Sequence, residues 1–135
     1  MAYSNIHPIQ TYKAGAADLA YGTAVKLDTT KTDEPTVIQA TAAADEVVGF
    51  VFNPVYVEGA NVGVLGQQGN RCEVVASGAI AIGDHVTVTT KGYVAKAASG
   101  AYVGIAMTAT AEAGQYLTIM LEKGTLPESE SESNT

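Results

Sequence analysis

The sequence predicts an all-β fold, a compact barrel or sandwich with at most one or two short helical turns, and three observations carry that expectation. Short Val/Ile/Thr/Tyr-rich runs, punctuated by Gly, Asn-Pro and Lys-Gly, recur from Tyr12 to Leu121. The 135 residues include 22 Ala and 15 Val beside only 6 Leu and 2 Phe, so small and β-branched side chains must build the core. Part of the chain is also duplicated, and units of about three short strands cannot bury an apolar face alone.

The elements follow in chain order. Residues 1–11 form a polar lead in which Pro8 removes a backbone donor and biases His7 towards an extended conformation. It reads as an arm or a first edge strand. Strands are expected near residues 25–27, 37–39, 47–51, 62–65, 71–76, 85–89, 93–95, 102–107 and 116–121. In residues 85–89 valine alternates with polar residues, the mark of a half-buried strand. In residues 116–121 both faces are largely apolar, which calls for cover on both sides. The alanine-rich pieces 40–46 and 108–113 are each long enough for about one helical turn. From residue 125 the chain alternates Glu with Ser and has nothing to bury, the composition of a disordered acidic tail.

The duplication fixes the organisation. Residues 40–51 (ATAAADEVVGFV) lie over 95–106 (AKAASGAYVGIA) at an offset of 55, and the register carries Gly59 onto Gly114 and Val64 onto Ile119. Residues 20–27 (AYGTAVKL) match 81–88 (AIGDHVTV) at an offset of 61, which implies a longer loop in the first copy, most simply residues 28–35. The expected layout is an arm over 1–11, one β domain over 12–124 and a tail over 125–135. Within the domain, repeat one covers about 12–66 and repeat two about 72–121, packed as a pseudo-twofold barrel or sandwich.

Charge and composition exclude several functions. The net charge is −7 with only 7 Lys and Arg, too few to neutralise a phosphate backbone or hold an anionic membrane surface. Glu128, Glu130 and Glu132 supply three of those negative charges, so the body of the chain is closer to neutral. Charged residues make up 16%, against about 25% in ordinary globular chains, which suits a surface covered by other proteins. The N-terminus has no basic, apolar pattern of a secretory signal, and no stretch approaches the roughly 18 apolar residues of a membrane helix. A single cysteine, Cys72, excludes an internal disulfide and any multi-cysteine zinc site.

Reactive chemistry is sparse. Cys72, His85 and Asp84, with Arg71 beside the thiol, are the only ingredients for a nucleophilic site, yet a lone cysteine in a strand is usually a buried hydrophobe. His7 and His85 lack metal-ligand spacing. The glycines of residues 63–69 have no following Lys-Ser/Thr to hold phosphate, and hairpin turns explain them better. The adjacent carboxylates Asp33-Glu34 and Asp45-Glu46 would point to opposite faces of a strand, unfit for joint acid-base work. No catalytic, metal or cofactor-binding residue is therefore assigned, and the chain is not expected to be an enzyme. Seven tyrosines, at 3, 12, 21, 56, 93, 102 and 116, fit either interface or barrel-rim packing.

The duplicated unit, and above all residues 78–88 (GAIAIGDHVTV) and 102–107 (YVGIAM), resembles the small capsid-cement or head-decoration proteins of tailed bacteriophages over about residues 12–121. The resemblance implies a β-rich homotrimer, without cofactor, that clamps major capsid protein subunits on the outside of the expanded head at threefold or quasi-threefold sites. It places the protein on the outer surface of the virion, and in the host cytoplasm during assembly. By the same resemblance, Ala2, Tyr3, Ser4, Asn5, Ile6, His7, Pro8 and Ile9 form a capsid-contact arm that pairs with a sheet edge of the shell. The alternative is a carbohydrate- or surface-binding β-module, whose aromatic platform would have to come from Tyr56, Tyr93 and Tyr102.

Overall fold

The computed structural model describes residues 9–127. Their strands are β1 (Ile9–Ala14), β2 (Ala24–Leu27), β3 (Thr36–Gln39), β4 (Val47–Val51), β5 (Asn61–Leu65), β6 (Arg71–Val75), β7 (His85–Val88), β8 (Val94–Lys96), β9 (Gly100–Ala106) and β10 (Tyr116–Leu126). The first five close into a barrel in the order β1-β3-β2-β4-β5, and the second five form a sheet in the order β6-β10-β9-β7-β8. No helix among the described residues is long and apolar enough to cross a membrane.

The two sheets are copies of one five-stranded unit. In the first, Val25 pairs with Gln39 and Gly49; in the second, Val86 pairs with Lys96 and Gly104. Phe50 faces Leu65 as Ile105 faces Met120, and Tyr12 faces Val62 as Val74 faces Leu117. The loops repeat as well: Leu19 bridges Val55 where Ile80 bridges Thr110. Gly22 and Gly83 both adopt positive φ, 79° and 91°, and donate to the carbonyls of Val51 and Ala106. That left-handed corner explains the glycine of the repeated Ala-x-Gly-x-x-Val motif, because a Cβ there meets the following carbonyl.

Three details differ from the sequence expectation. Each unit has five strands, not about three, because β1 and β6 close the unit beside β5 and β10, while β3 and β8 pair with β2 and β7. The extra residues of the first copy do not sit in one loop: the offset falls from 61 at β2 and β7 to 57 at β3 and β8, then to 55 at β4 and β9. The alanine-rich pieces form turns instead of helix. Asp45 Oδ2 accepts the amides of Thr41 and Ala42, and Gln115 Oε1 accepts those of Ala111 and Glu112, so side chains take the donors that a helical turn would need. The one helical turn among the described residues is a 3-10 turn at Thr90–Gly92.

The strand boundaries also reach beyond the central span expected from composition. Ile9, Gln10 and Thr11 lie in β1, paired with Leu65, Val64 and Gly63. At the other end β10 continues to Leu126 against Gly100, past a bulge between Leu121 and Gly124.

Alternation sorts the side chains. Leu19, Val25, Val37, Val51, Val62 and Val64 fill the first barrel. Ile80, Val86, Val94, Ala106, Leu117 and Ile119 occupy the matching inner positions of the second unit, where a larger cluster also takes in Ala24, Val47, Phe50 and Leu65 from the first. The reason lies in closure. β1 and β3 pair at two positions, Lys13 with Thr36 and Ala14 with Val37, whereas the second unit has there only an isolated bridge between Ala76, just past β6, and Val94 of β8. The second unit is left open on that side, and the outer face of the first unit joins its core, so the units form one domain.

Candidate interaction surface at the seam

Where the units meet, Tyr21 from the loop before β2 lies between Phe52 from the loop after β4 and Tyr116 at the start of β10. Ring centroids are 6.3 Å and 5.8 Å apart, with interplanar angles of 57° and 54°. Phe52 and Tyr116 remain 43% and 52% exposed, so the cluster is an apolar patch open to solvent. Gly22 positions Tyr21: its carbonyl accepts the amide of Val75, locking the loop to β6. Tyr21 Oη donates to Glu73 Oε1 at 2.8 Å. Beside the rings, Phe50, Leu65, Arg71, Cys72 and Glu73 line a small cavity of about 150 Å³. Tilted aromatic rings with a polar tip and a flanking Arg–Glu rim are the make-up of a protein-contact patch.

Burial, followed by the hydrogen bond and negative charge of Glu73, pushes the Tyr21 phenol from its usual 10.0 up to about 12. The folded phenol keeps its proton to higher pH than the unfolded chain does. Its contribution to stability is therefore whole below pH 10 and is lost as the pH rises towards 12. Tyr21→Phe is expected to remove the late-titrating tyrosine from an ultraviolet absorbance titration, at a stability cost below about 1 kcal/mol because the bond is exposed. A late phenol surviving in the variant would show that another tyrosine is responsible.

The other sequence candidates are dispersed. Cys72 pairs with Ile119, which pairs with Ala106, while His85 pairs with Ile105; successive residues of β9 point to opposite faces, so thiol and imidazole do as well. Burial pushes the Cys72 thiol up to about 12. Native protein is expected to resist a thiol reagent that labels Cys72 after unfolding, and rapid native labelling would contradict its placement in the core. His85 stacks on Tyr102 at 4.3 Å, and Asp84 accepts the Ala81 amide and lies 3.9 Å from Lys96 Nζ. Asp45 caps its turn and pairs with Lys26 at 3.2 Å, and Glu46 pairs with Lys123 at 2.9 Å. Asp33 and Glu34 are exposed in the β2–β3 loop, where no joint geometry forms. No group of three or more His, Cys, Asp or Glu side chains converges among the described residues.

Tyr56, Tyr93 and Tyr102 do not assemble into a platform: they occupy the β4–β5 loop, the end of the 3-10 turn and β9, and Tyr102 stacks on His85 instead. Of the arm, Ala2 to Pro8 lie outside the described residues, as does His7 as a metal candidate. Ile9 is a β1 residue, partly buried against the shared core. The Tyr21–Phe52–Tyr116 cluster had only a weak sequence signal, an aromatic next to the Gly22 corner and another before Asn53-Pro54.

No protein-family model matches the chain, and no curated protein matches it. Among solved structures it is similar to the head fiber gp8.5 N base in bacteriophage phi29, with a TM-score of 0.70 at 17% identity over 89% of this chain and 98% of that one. At that identity the likeness is one of fold, and it covers most of this chain.

Proposed function

We propose that this protein is a structural component of a phage head, a decoration protein that binds the outside of the expanded shell at threefold or quasi-threefold sites and braces neighbouring major capsid subunits as a homotrimer. The observation that carries this reading is the fold shared with a phage head fiber base over 89% of this chain. The resemblance of the repeated unit to capsid-cement proteins supports the decoration role in particular. An exposed aromatic patch at the seam and a body of low charge suit a protein held by others. Its place is the virion surface, reached from the host cytoplasm during assembly.

The arm reading sharpens at β1. Five paired positions, from Ile9–Leu65 to Lys13–Asn61, hold that strand in the barrel, so residues preceding Ile9 start from a rigid base. Seven of them, Ala2 to Pro8, span up to roughly 25 Å when extended, enough to cross onto a neighbouring subunit. The deciding experiment mixes purified protein with expanded, undecorated heads and images the particles. Density at threefold positions is expected, and bare heads at saturating protein would reject the proposal. Deleting Ala2 to Pro8 is expected to leave the domain folded while weakening attachment at least tenfold. Unchanged attachment would remove the arm as anchor.

A further inference from the structure

The seam cleft beside Tyr21 has a strand edge as one wall. β6 pairs with β10 on one side only. On its other side the Val75 amide donates to the Gly22 carbonyl, and because backbone groups alternate along a strand, the amides of Arg71 and Glu73 point the same way, towards the cleft. Phe50, Phe52 and Leu65 of the first unit supply the apolar walls. The volume, about 150 Å³, is that of a cavity that takes one benzene-sized group. Such a site suits one apolar side chain carried on an extended backbone: the cleft takes the side chain, and the β6 edge takes the peptide groups.

The chain itself delivers a segment of this kind to the cleft. Ile9 pairs with Leu65, so the two side chains share a face, and Ile9 packs against the core common to both units. Its Cγ2 lies 3.1 Å from where a Cβ on Gly63 would stand, and the Gly63 carbonyl accepts the Phe52 amide. Ile9 is therefore next to a wall of the cleft. The Lys13 amide donates to Pro35 on the β3 side, which leaves Gln10 and Tyr12 as the residues facing β5. Pro8 is next in that series and has no N–H, so the ladder loses its next donor where the chain reaches the cleft. Three residues before Ile9, within about 10 Å along an extended chain, comes Ile6, a branched apolar residue among the polar Ser4, Asn5 and His7.

We infer that this segment folds back on its own body: Ile6 enters the seam cleft, and the backbone around it pairs with the free edge of β6 at Arg71 and Glu73. The occupant is the N-terminal segment of the same chain, so its effective concentration is high and no second molecule is required. Where the segment serves attachment as proposed above, the contact is autoinhibitory, since a shell has to displace it. The docking itself does not rest on that reading.

Residue-resolved amide exchange on the isolated full chain tests it. Arg71 and Glu73 are expected to exchange at least tenfold more slowly in the full chain than after deletion of Ala2 to Pro8. Cys72 and Val74, which face β10, are expected to exchange alike in both and report that the fold is intact. Ile6→Asn in the full chain is expected to abolish the protection as the deletion does. Exchange at Arg71 and Glu73 that is indifferent to the deletion, or protection that survives Ile6→Asn, would overturn the inference. So would an equal loss at Cys72 and Val74, because the segment would then support the domain as a whole. No shell enters these measurements, so heads that stay bare in the imaging experiment leave this result standing.

Discussion

Phe50→Ala is expected to lower the free energy of unfolding by about 3–5 kcal/mol, a large share of the roughly 5–15 kcal/mol available to a domain of this kind. Phe50 is 1% exposed and heads the fully buried side chains by volume. Its neighbours come from two units, since it pairs with Ala24 and Leu65 in the first and shares a cluster with Cys72, Val74 and Leu121 of the second. Truncation therefore leaves a cavity at the seam, which the two units can close only by shifting against each other. Ile105, the residue in the same register of the second unit, is half-buried. Ile105→Ala is expected to cost less than about 2 kcal/mol. Urea unfolding of the two variants measures the contrast. Equal losses would mean that the first unit's outer face owes its burial to something other than the second unit.

That contrast also marks the limit of what the residues disclose by themselves. β2, β4, β5, β7 and β9 were legible because each is a short Val- or Ile-rich run ended by a glycine or a polar turn. The duplication was legible because Gly22 and Gly83 must both turn a left-handed corner, and a backbone requirement of that kind persists where side chains drift. β1 was harder to read, since Gln10 and Thr11 face solvent and give no apolar alternation. The seam was not legible at all. Phe50 and Phe52 are near neighbours of the same type, yet one is buried and the other 43% exposed, and only the docking of a distant unit decides which. The Tyr21–Phe52–Tyr116 cluster likewise joins three segments that no local pattern connects. Cys72 was the reverse case: its strand position, despite Arg71 beside it, was enough to expect a buried thiol.

Gly92→Ala probes the same seam from the other side, and its expected cost is about 2–5 kcal/mol, combining a left-handed penalty with overpacking. Gly92 has φ of 75°, and a Cβ there would stand 2.5 Å from Gln39 Nε2, 2.9 Å from Ala24 N and 3.0 Å from Ala24 O. Two of those atoms are backbone of β2, and the third is fixed because Gln39 Nε2 donates to the Ala24 carbonyl at 2.8 Å. Neither side can yield without opening the contact between the Thr90–Gly92 turn and the first unit. Gly69→Ala supplies the control, since Gly69 has a similar φ of 89° and nothing within 4 Å of the added carbon. Its cost is expected to be the conformational part alone, about 1–2 kcal/mol. The excess at Gly92 over Gly69 measures how tightly the 3-10 turn presses on β2, and no excess would mean that the turn is not part of the joint. If the excess is present, the loss in Gly92→Ala is also expected to break cooperativity, with the closed first barrel outlasting the open second sheet. Only the second sheet depends on its neighbour to finish its core, whereas the first is closed by its own β1–β3 pairing.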